Sequence, residues 1–311
     1  MFFSHKTVLL HETIDLLAIK PDGIYVDGTA GGGGASFEIA KRLSKFGKLI
    51  SIDIDPDAVS ICYEKLCDFE NVLVLEANFA ELVSLLNKNK INKIDGILLD
   101  LGMSSYQIDN LDRGFSYIND APLDMRMSKS GLSAADLLIS LNESSLADLI
   151  FKFGEERFAK KIAHMICIER KRSPIKTTLK LSEIVKKSVP NFSEMKSVKR
   201  VFQAFRIAVN SELENLKTGL KVCFEVLKNN ARLAVISFHS LEDKIIKQEF
   251  NFQCQDCICP RDFPICSCGK NRQAKLITKK AVRPSTDEIL KNPRCKSAKL
   301  RVCEKLEFLQ K

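Results

Sequence analysis

Glycine and proline are scarce, 23 of 311 residues together, which excludes collagen-like and low-complexity chains. Long apolar runs are missing too: no stretch approaches the ~18 residues that a bilayer-crossing helix requires. Near the N-terminus Lys6, His11, Glu12 and Asp15 interrupt the only stretch that could act as an export signal. A soluble chain that stays in the cytoplasm is therefore expected. What is present is globular in character, 45% hydrophobic and 28% charged, and long enough for about two domains of roughly 150 residues. Eleven cysteines could staple a small secreted scaffold, but in a long chain without an export signal they are expected to stay free or to bind metal.

No unbroken basic tail occurs either, yet the net charge is +9 and it is concentrated. Between Lys152 and Arg206 there are 15 Lys and Arg against five Glu, and between Lys270 and Arg301 there are 11 against Asp287 and Glu288. The rest of the chain is acidic. Two basic blocks on an acidic protein fit a polyanionic partner, because each neutralised phosphate releases counterions. They also fit solvated helix faces. Apolar residues recur through both blocks, so both are folded surfaces.

Gly23-Ile24-Tyr25-Val26-Asp27 reads as a strand, the glycine-rich run 28–34 as a turn, and 36–43 as a helix. Further strands are expected at 48–53, 72–75 and 94–100, with helices at 56–66 and 80–86 between them. Such alternation predicts a parallel α/β sheet with right-handed crossovers. Ligands bind such sheets beyond the carboxyl ends of the strands, and three of these strands end in Asp27, Asp53 and Asp100. Asp53 follows Gly33 by 20 residues, the spacing at which a carboxylate accepts the hydroxyls of a ribose. A nucleoside-bearing cofactor is expected. The turn is not a clean G-x-G-x-x-G, and a carboxylate just before it would repel a pyrophosphate while suiting a cationic ammonium. S-adenosylmethionine is favoured over NAD on these grounds.

From 110 to 210 the alternation gives way to amphipathic helices, including 146–153 and 158–168. Val198, Phe202, Phe205 and Val209 make one stripe, expected in the core; Lys199, Gln203 and Arg206 make another, either solvated or in contact with phosphate. The sheet pattern resumes with a helix at 213–227, a strand at 232–238, a helix at 240–250 and an alternating strand at 299–306. Domains are expected at 1–109 with 211–311, and at 110–210.

Several blocks then match a known family in order: His5-Lys6-Thr7-Val8-Leu9-Leu10, Tyr25-Val26-Asp27-Gly28-Thr29, Asp100-Leu101-Gly102-Met103-Ser104-Ser105, Arg113-Gly114-Phe115-Ser116, Pro122-Leu123-Asp124-Met125-Arg126-Met127, Gly154-Glu155-Glu156, Phe202-Gln203-Ala204, the run from Val235 to Asp243, and Asn292-Pro293-Arg294. On these blocks the chain resembles the bacterial small-subunit ribosomal RNA methyltransferase H family, almost end to end. The resemblance implies a Rossmann-like class I methyltransferase sheet with an inserted all-helical domain. It implies S-adenosylmethionine as cofactor, contacted by Gly33, Gly34, Ala35, Asp53, Phe79, Asp100 and Gln107. It also implies methylation of the exocyclic N4 amine of a cytidine in the decoding region of small-subunit ribosomal RNA, with the helical insertion helping to hold RNA. Ala35 stands where the family usually has His, Ala121 where Gly is usual, and Val198-Lys199 where Ala-Arg is usual. Lysine keeps the charge at 199 but loses the bidentate fork.

Methylating a conjugated amine requires an acceptor that holds its hydrogens and aims its lone pair. Asp100 stands at the fourth strand end, where it could accept from the amine, contact the cofactor, or both. Ser237, Phe238 and His239 end the next strand and could line a base pocket, Phe238 by stacking on a splayed-out cytosine. His239 could equally be structural. Five cysteines, Cys254, Cys257, Cys259, Cys266 and Cys268, fall within fifteen residues, among Pro260, Pro264 and Gly269. Two C-x-C pairs could hold zinc, or the thiols could be free. Part of the family carries such a segment and part does not, so catalysis does not depend on it. Two other classes stay open: an NAD-dependent oxidoreductase on this fold, and a noncatalytic ribosome-binding factor.

Overall fold

The computed structural model describes residues 7–260 and 266–307, apart from the Ser105 side chain. His5, Lys6 and Pro264 lie outside these residues. The described chain divides into two compact units, 7–102 with 213–307, and 103–212.

The first unit is built on seven strands: β1 (Ile24–Asp27), β2 (Lys48–Asp53), β3 (Val72–Glu76), β4 (Ile94–Asp100), β5 (Leu227–Ser237), β6 (Ala274–Leu276) and β7 (Lys299–Lys305). Their order across the sheet is β3-β2-β1-β4-β5-β7-β6. Strands β1 to β5 pair in parallel, whereas β7 runs antiparallel to both β5 and β6. The all-parallel expectation is thus corrected at one strand. This arrangement is a Rossmann-like sheet of the order β3-β2-β1-β4-β5-β7-β6, as expected from the resemblance.

Alternation along the strands sends side chains to two separate cores. Tyr25, Leu49, Leu98, Ala234 and Ile236 face one, packed with α1 (Leu10–Leu17), α2 (Gly34–Ala40) and α3 (Pro56–Leu66). Val26, Ile50, Ile97, Leu99, Leu233 and Val235 face the other, packed with α4 (Leu82–Lys88) and two later helices. Burial on both faces explains why these strands read as continuous apolar runs. Strand β6, three residues long, and α1, an amphipathic helix burying Ile14 and Leu17, were not among the expected elements.

The helical unit contains α5 (Ser105–Asp109), α6 (Ala134–Ser140), α7 (Glu143–Gly154), α8 (Ala159–Arg172), α9 (Thr178–Ser188) and α10 (Glu194–Val209). Side chains of Ser133, Asn142 and Thr177 cap α6, α7 and α9 by accepting backbone N–H bonds. Val198, Phe202 and Phe205 are buried, so the apolar stripe of α10 is core. After this unit come α11 (Glu212–Val226), α12 (Ser240–Gln253) and α13 (Thr286–Lys291); α11 and α12 supply the two later helices of the second core.

Candidate active site

The glycine turn is fastened between strand ends by its own backbone. Gly28 N–H donates to Leu98 O at 2.8 Å and Ala30 N–H to Ile52 O at 2.9 Å. Gly33 takes φ of +71°, a left-handed value that glycine adopts without strain. A Cβ on Gly34 would lie 2.0 Å from Thr7 Oγ1, so only glycine lets α2 start here. Thr29 adds a side-chain tie, its hydroxyl accepting from Asp100 N–H at 2.5 Å.

Each of the three strand-end carboxyls has a different task. Asp27 is buried and turned inward: one oxygen accepts from Ser36 Oγ at 2.6 Å and the other from Thr29 N–H at 3.3 Å. This corrects its expected place beside a ligand ammonium: Asp27 is 1% exposed, its carboxylate shut inside the turn that it holds. Asp53 accepts from Gly31 N–H at 2.8 Å with one oxygen and from Asp55 N–H at 2.9 Å with the other. Each oxygen keeps a second lone pair, enough for two ribose hydroxyls. Asp100 has one carboxyl oxygen that is buried without a hydrogen-bond partner among the described residues.

Burial pushes the Asp27 and Asp53 carboxyls up to about 6 and that of Asp100 up to about 8. Neighbouring negative charge adds to it, Asp53 acting on Asp27, and Asp27 with Glu242 on Asp100. A site with this much unrelieved negative potential takes a cation and rejects a pyrophosphate. The orphaned Asp100 oxygen and the spare Asp53 lone pairs fit the sulfonium nucleoside S-adenosylmethionine.

Comparison with known proteins gives the family. The model of the MraW methylase family matches residues 2–306. The chain belongs to the MraW methylase family. It is a methyltransferase, and its cofactor is S-adenosylmethionine. Ribosomal RNA small subunit methyltransferase H of Clostridium botulinum (strain Kyoto / Type A2) is 49% identical over 98% of this chain and 100% of that protein. The proteins of the same name from Lachnospira eligens and Caldicellulosiruptor saccharolyticus are 47% and 46% identical, over 98% of this chain and 99% and 100% of theirs. Among solved structures, an rRNA methylase from Streptococcus thermophilus aligns over 97% of this chain and 98% of its own, with 13% identity and a TM-score of 0.42.

The other expected residues of this MraW-family chain divide by what they touch. Ala35 is buried in the first turn of α2, directly after Gly34. Phe79 follows β3 and packs on α11, where a Cβ at Gly219 would lie 2.3 Å from its ring. Gln107 belongs to the helical unit and accepts from Ser104 N–H at 3.1 Å, closing the capping box of α5. Phe238 faces Gly102: a Cβ there would meet its ring at 3.5 Å. Gly102 itself has φ of +97°, so the chain after β4 turns sharply under that ring.

Ser237, Arg206 and Gln203 depart from expectation, and His239 takes its structural role in part. Ser237 is 0% exposed and its hydroxyl is directed at Lys299 O, 3.5 Å away, so it lies inside the sheet rather than in a base pocket. His239 caps α12: its Nδ1 accepts from Glu242 N–H at 3.4 Å, while Glu242 accepts from His239 N–H at 3.2 Å. The ring's Nε2 has no hydrogen-bond partner among the described residues. Arg206 makes a bidentate pair with Glu212, both bonds 2.8 Å, with each side chain only 11% exposed. Gln203 donates to Phe153 O at 3.0 Å. Of the polar stripe on α10 only Lys199 is exposed, because Gln203 is tied to α7 and Arg206 to Glu212.

Sequence reading missed the roles of Thr29, Gly31 and Gly102. Thr29 lay within a matched block and Gly31 within the glycine turn. Their tasks, holding Asp100 and Asp53 in place, come from residues more than twenty positions away.

Proposed function

We propose that this methyltransferase acts on the exocyclic N4 amine of a cytidine in the decoding region of small-subunit ribosomal RNA, within the cytoplasm. The substrate class comes from relatives that share nearly half its residues over their whole length. The observation that carries the chemistry is the Asp100 carboxyl, with a buried and unpartnered oxygen at the end of β4 in the same stretch as Gly102.

S-adenosylmethionine supplies an electrophilic methyl on a positively charged sulfur. Asp53 holds the ribose through the lone pairs that Gly31 and Asp55 leave free. The Phe238 ring, beside Gly102, is the stacking surface for the unstacked cytosine. Asp100 accepts a hydrogen bond from the N4 amine and so aims the nitrogen lone pair at the methyl carbon. With the donor bound, the N–C bond would form as the methyl–sulfur bond breaks and the neutral thioether S-adenosylhomocysteine leaves, and ionised Asp100 would take up the amine proton. In the free protein this carboxyl, raised to about 8, is mostly protonated at neutral pH; a bound sulfonium beside it favours the ionised form, which is the one able to receive a proton.

The helical unit is the RNA holder. Its exposed cations include Lys160, Lys161, Lys187, Lys196 and Lys199. Phe192 is 77% exposed with the Arg157 guanidinium 6.0 Å from its ring centroid, an aromatic surface among basic side chains that suits unpaired bases. The test is transfer of labelled methyl from S-adenosylmethionine to small-subunit ribosomal RNA, as free RNA and as assembled subunit, with the product nucleoside identified by mass. N4-methylated cytidine is expected. Binding of RNA and cofactor with no label transferred, or methylation of another base, would overturn the reading.

A further inference from the structure

The cysteines between α12 and β6 are not used by the chemistry above. Four of them converge: the Sγ atoms of Cys257, Cys259, Cys266 and Cys268 all lie within 4.8 Å of one another. The separations are 3.4 Å for Cys257–Cys266, 3.6 Å for Cys266–Cys268, 3.8 Å for Cys257–Cys268 and 4.0 Å for Cys259–Cys266. These are far from the ~2.05 Å of a disulfide. Four thiolates at ~2.3 Å from a central zinc form a tetrahedron whose edges are ~3.8 Å. The observed edges scatter around that value.

The surrounding backbone is arranged for thiolates. Ile258 N–H points at Cys268 Sγ at 3.4 Å and Cys259 N–H at Cys257 Sγ at 3.3 Å. Such donors stabilise negative sulfur and orient it. The fifth cysteine, Cys254, is half-buried against the sheet core instead, so it is not part of the cluster. Hydrophobic burial does not explain the convergence, since Cys257 and Cys266 are exposed. At its base the loop is fastened by Gln273 N–H donating to Gln253 O at 2.8 Å.

We propose that Cys257, Cys259, Cys266 and Cys268 bind one zinc ion. Four sulfurs close the coordination shell and leave no position for water or substrate, so the ion is structural. Iron takes the same ligand set, but a redox-inert ion suits thiolates this exposed. The bound ion pins the loop and fixes the direction in which the chain enters the basic segment beginning at Lys270 and Arg272. The Lys270 ammonium already lies 3.9 Å above the Phe252 ring at the loop base.

Metal analysis of the full chain, purified under reducing conditions without chelator, should find about one zinc per chain. The double variant C266S/C268S should lose it, and C254S should keep it. Cobalt(II) in place of zinc should give the visible bands of a tetrahedral all-thiolate site. Cys268→His keeps a ligand and should retain cobalt with its bands shifted to shorter wavelength, so the assignment stays testable if the double variant misfolds. Negligible metal in the wild-type chain, iron in place of zinc, zinc undiminished in C266S/C268S, or zinc lost in C254S would each overturn the proposal.

Discussion

Asp100 is predicted to be a liability to the folded protein and a necessity to its chemistry, and a single substitution separates the two. Its carboxyl is pushed up to about 8 by burial and by Asp27 and Glu242, against an ordinary value of ~3.9 in the unfolded chain. Because the folded value is the higher one, the protonated group is compatible with folding and the ionised one opposes it. The penalty is absent below pH ~4, grows by ~1.4 kcal/mol per pH unit above that, and levels off at pH ~8. At pH 7 it amounts to about 4 kcal/mol. Asp100→Asn removes the penalty while keeping the shape, and the cost of a buried amide without partners returns ~1–3 kcal/mol of it. The ligand-free variant should therefore be more stable than wild type by ~1–3 kcal/mol at pH 7. That corresponds to a rise in melting temperature of ~2–4 °C per kcal/mol. At pH 4 the ordering should reverse or vanish. Methyl transfer measured in single turnovers at saturating cofactor should fall far more than RNA affinity does. Two results would refute the reasoning: a stability difference that is flat between pH 4 and pH 8, or a near-normal transfer rate.

Asp53→Asn removes one charge-assisted acceptor and should weaken S-adenosylmethionine ~10–100-fold by calorimetry, and unchanged affinity in a folded variant would take Asp53 out of the site. In the wild type, affinity should also fall as pH is lowered through about 6, where the Asp53 carboxyl gains its proton. On α10 two cations should behave oppositely. Arg206→Gln leaves Glu212 unpaired in a largely buried position and should cost ~3 kcal/mol in urea unfolding, whereas Lys199→Gln should leave stability alone and flatten the log affinity against log salt plot for RNA by nearly one unit. A stable Arg206→Gln protein, or an unaltered slope for Lys199→Gln, would remove that division of labour.

Much of the sheet and part of the site were legible in the residues themselves, and the reason is local. Apolar runs ending in Asp53 and Asp100, a glycine turn after Asp27, and the 3.6-residue stripe of Val198, Phe202 and Phe205 are each determined by neighbours within one element. What those elements do to distant residues was not legible. The reversal of β7 depends on which edge of the sheet was left unpaired. Asp27 turned inward because Ser36 on α2 reached its carboxylate first, and Arg206 left the solvent face because Glu212 waits at the start of the next helix. His239 became a helix cap through Glu242. Cysteine spacing allowed either free thiols or a metal cluster, and only the folded loop brought four sulfurs together while Cys254 was held against the sheet core. The sequence alone determined which chemical groups would stand at the strand ends, since side-chain alternation and turns are properties of neighbouring residues. The tertiary structure decided which of those groups would be left unsatisfied, because satisfaction depends on partners that the chain brings back from far along its length.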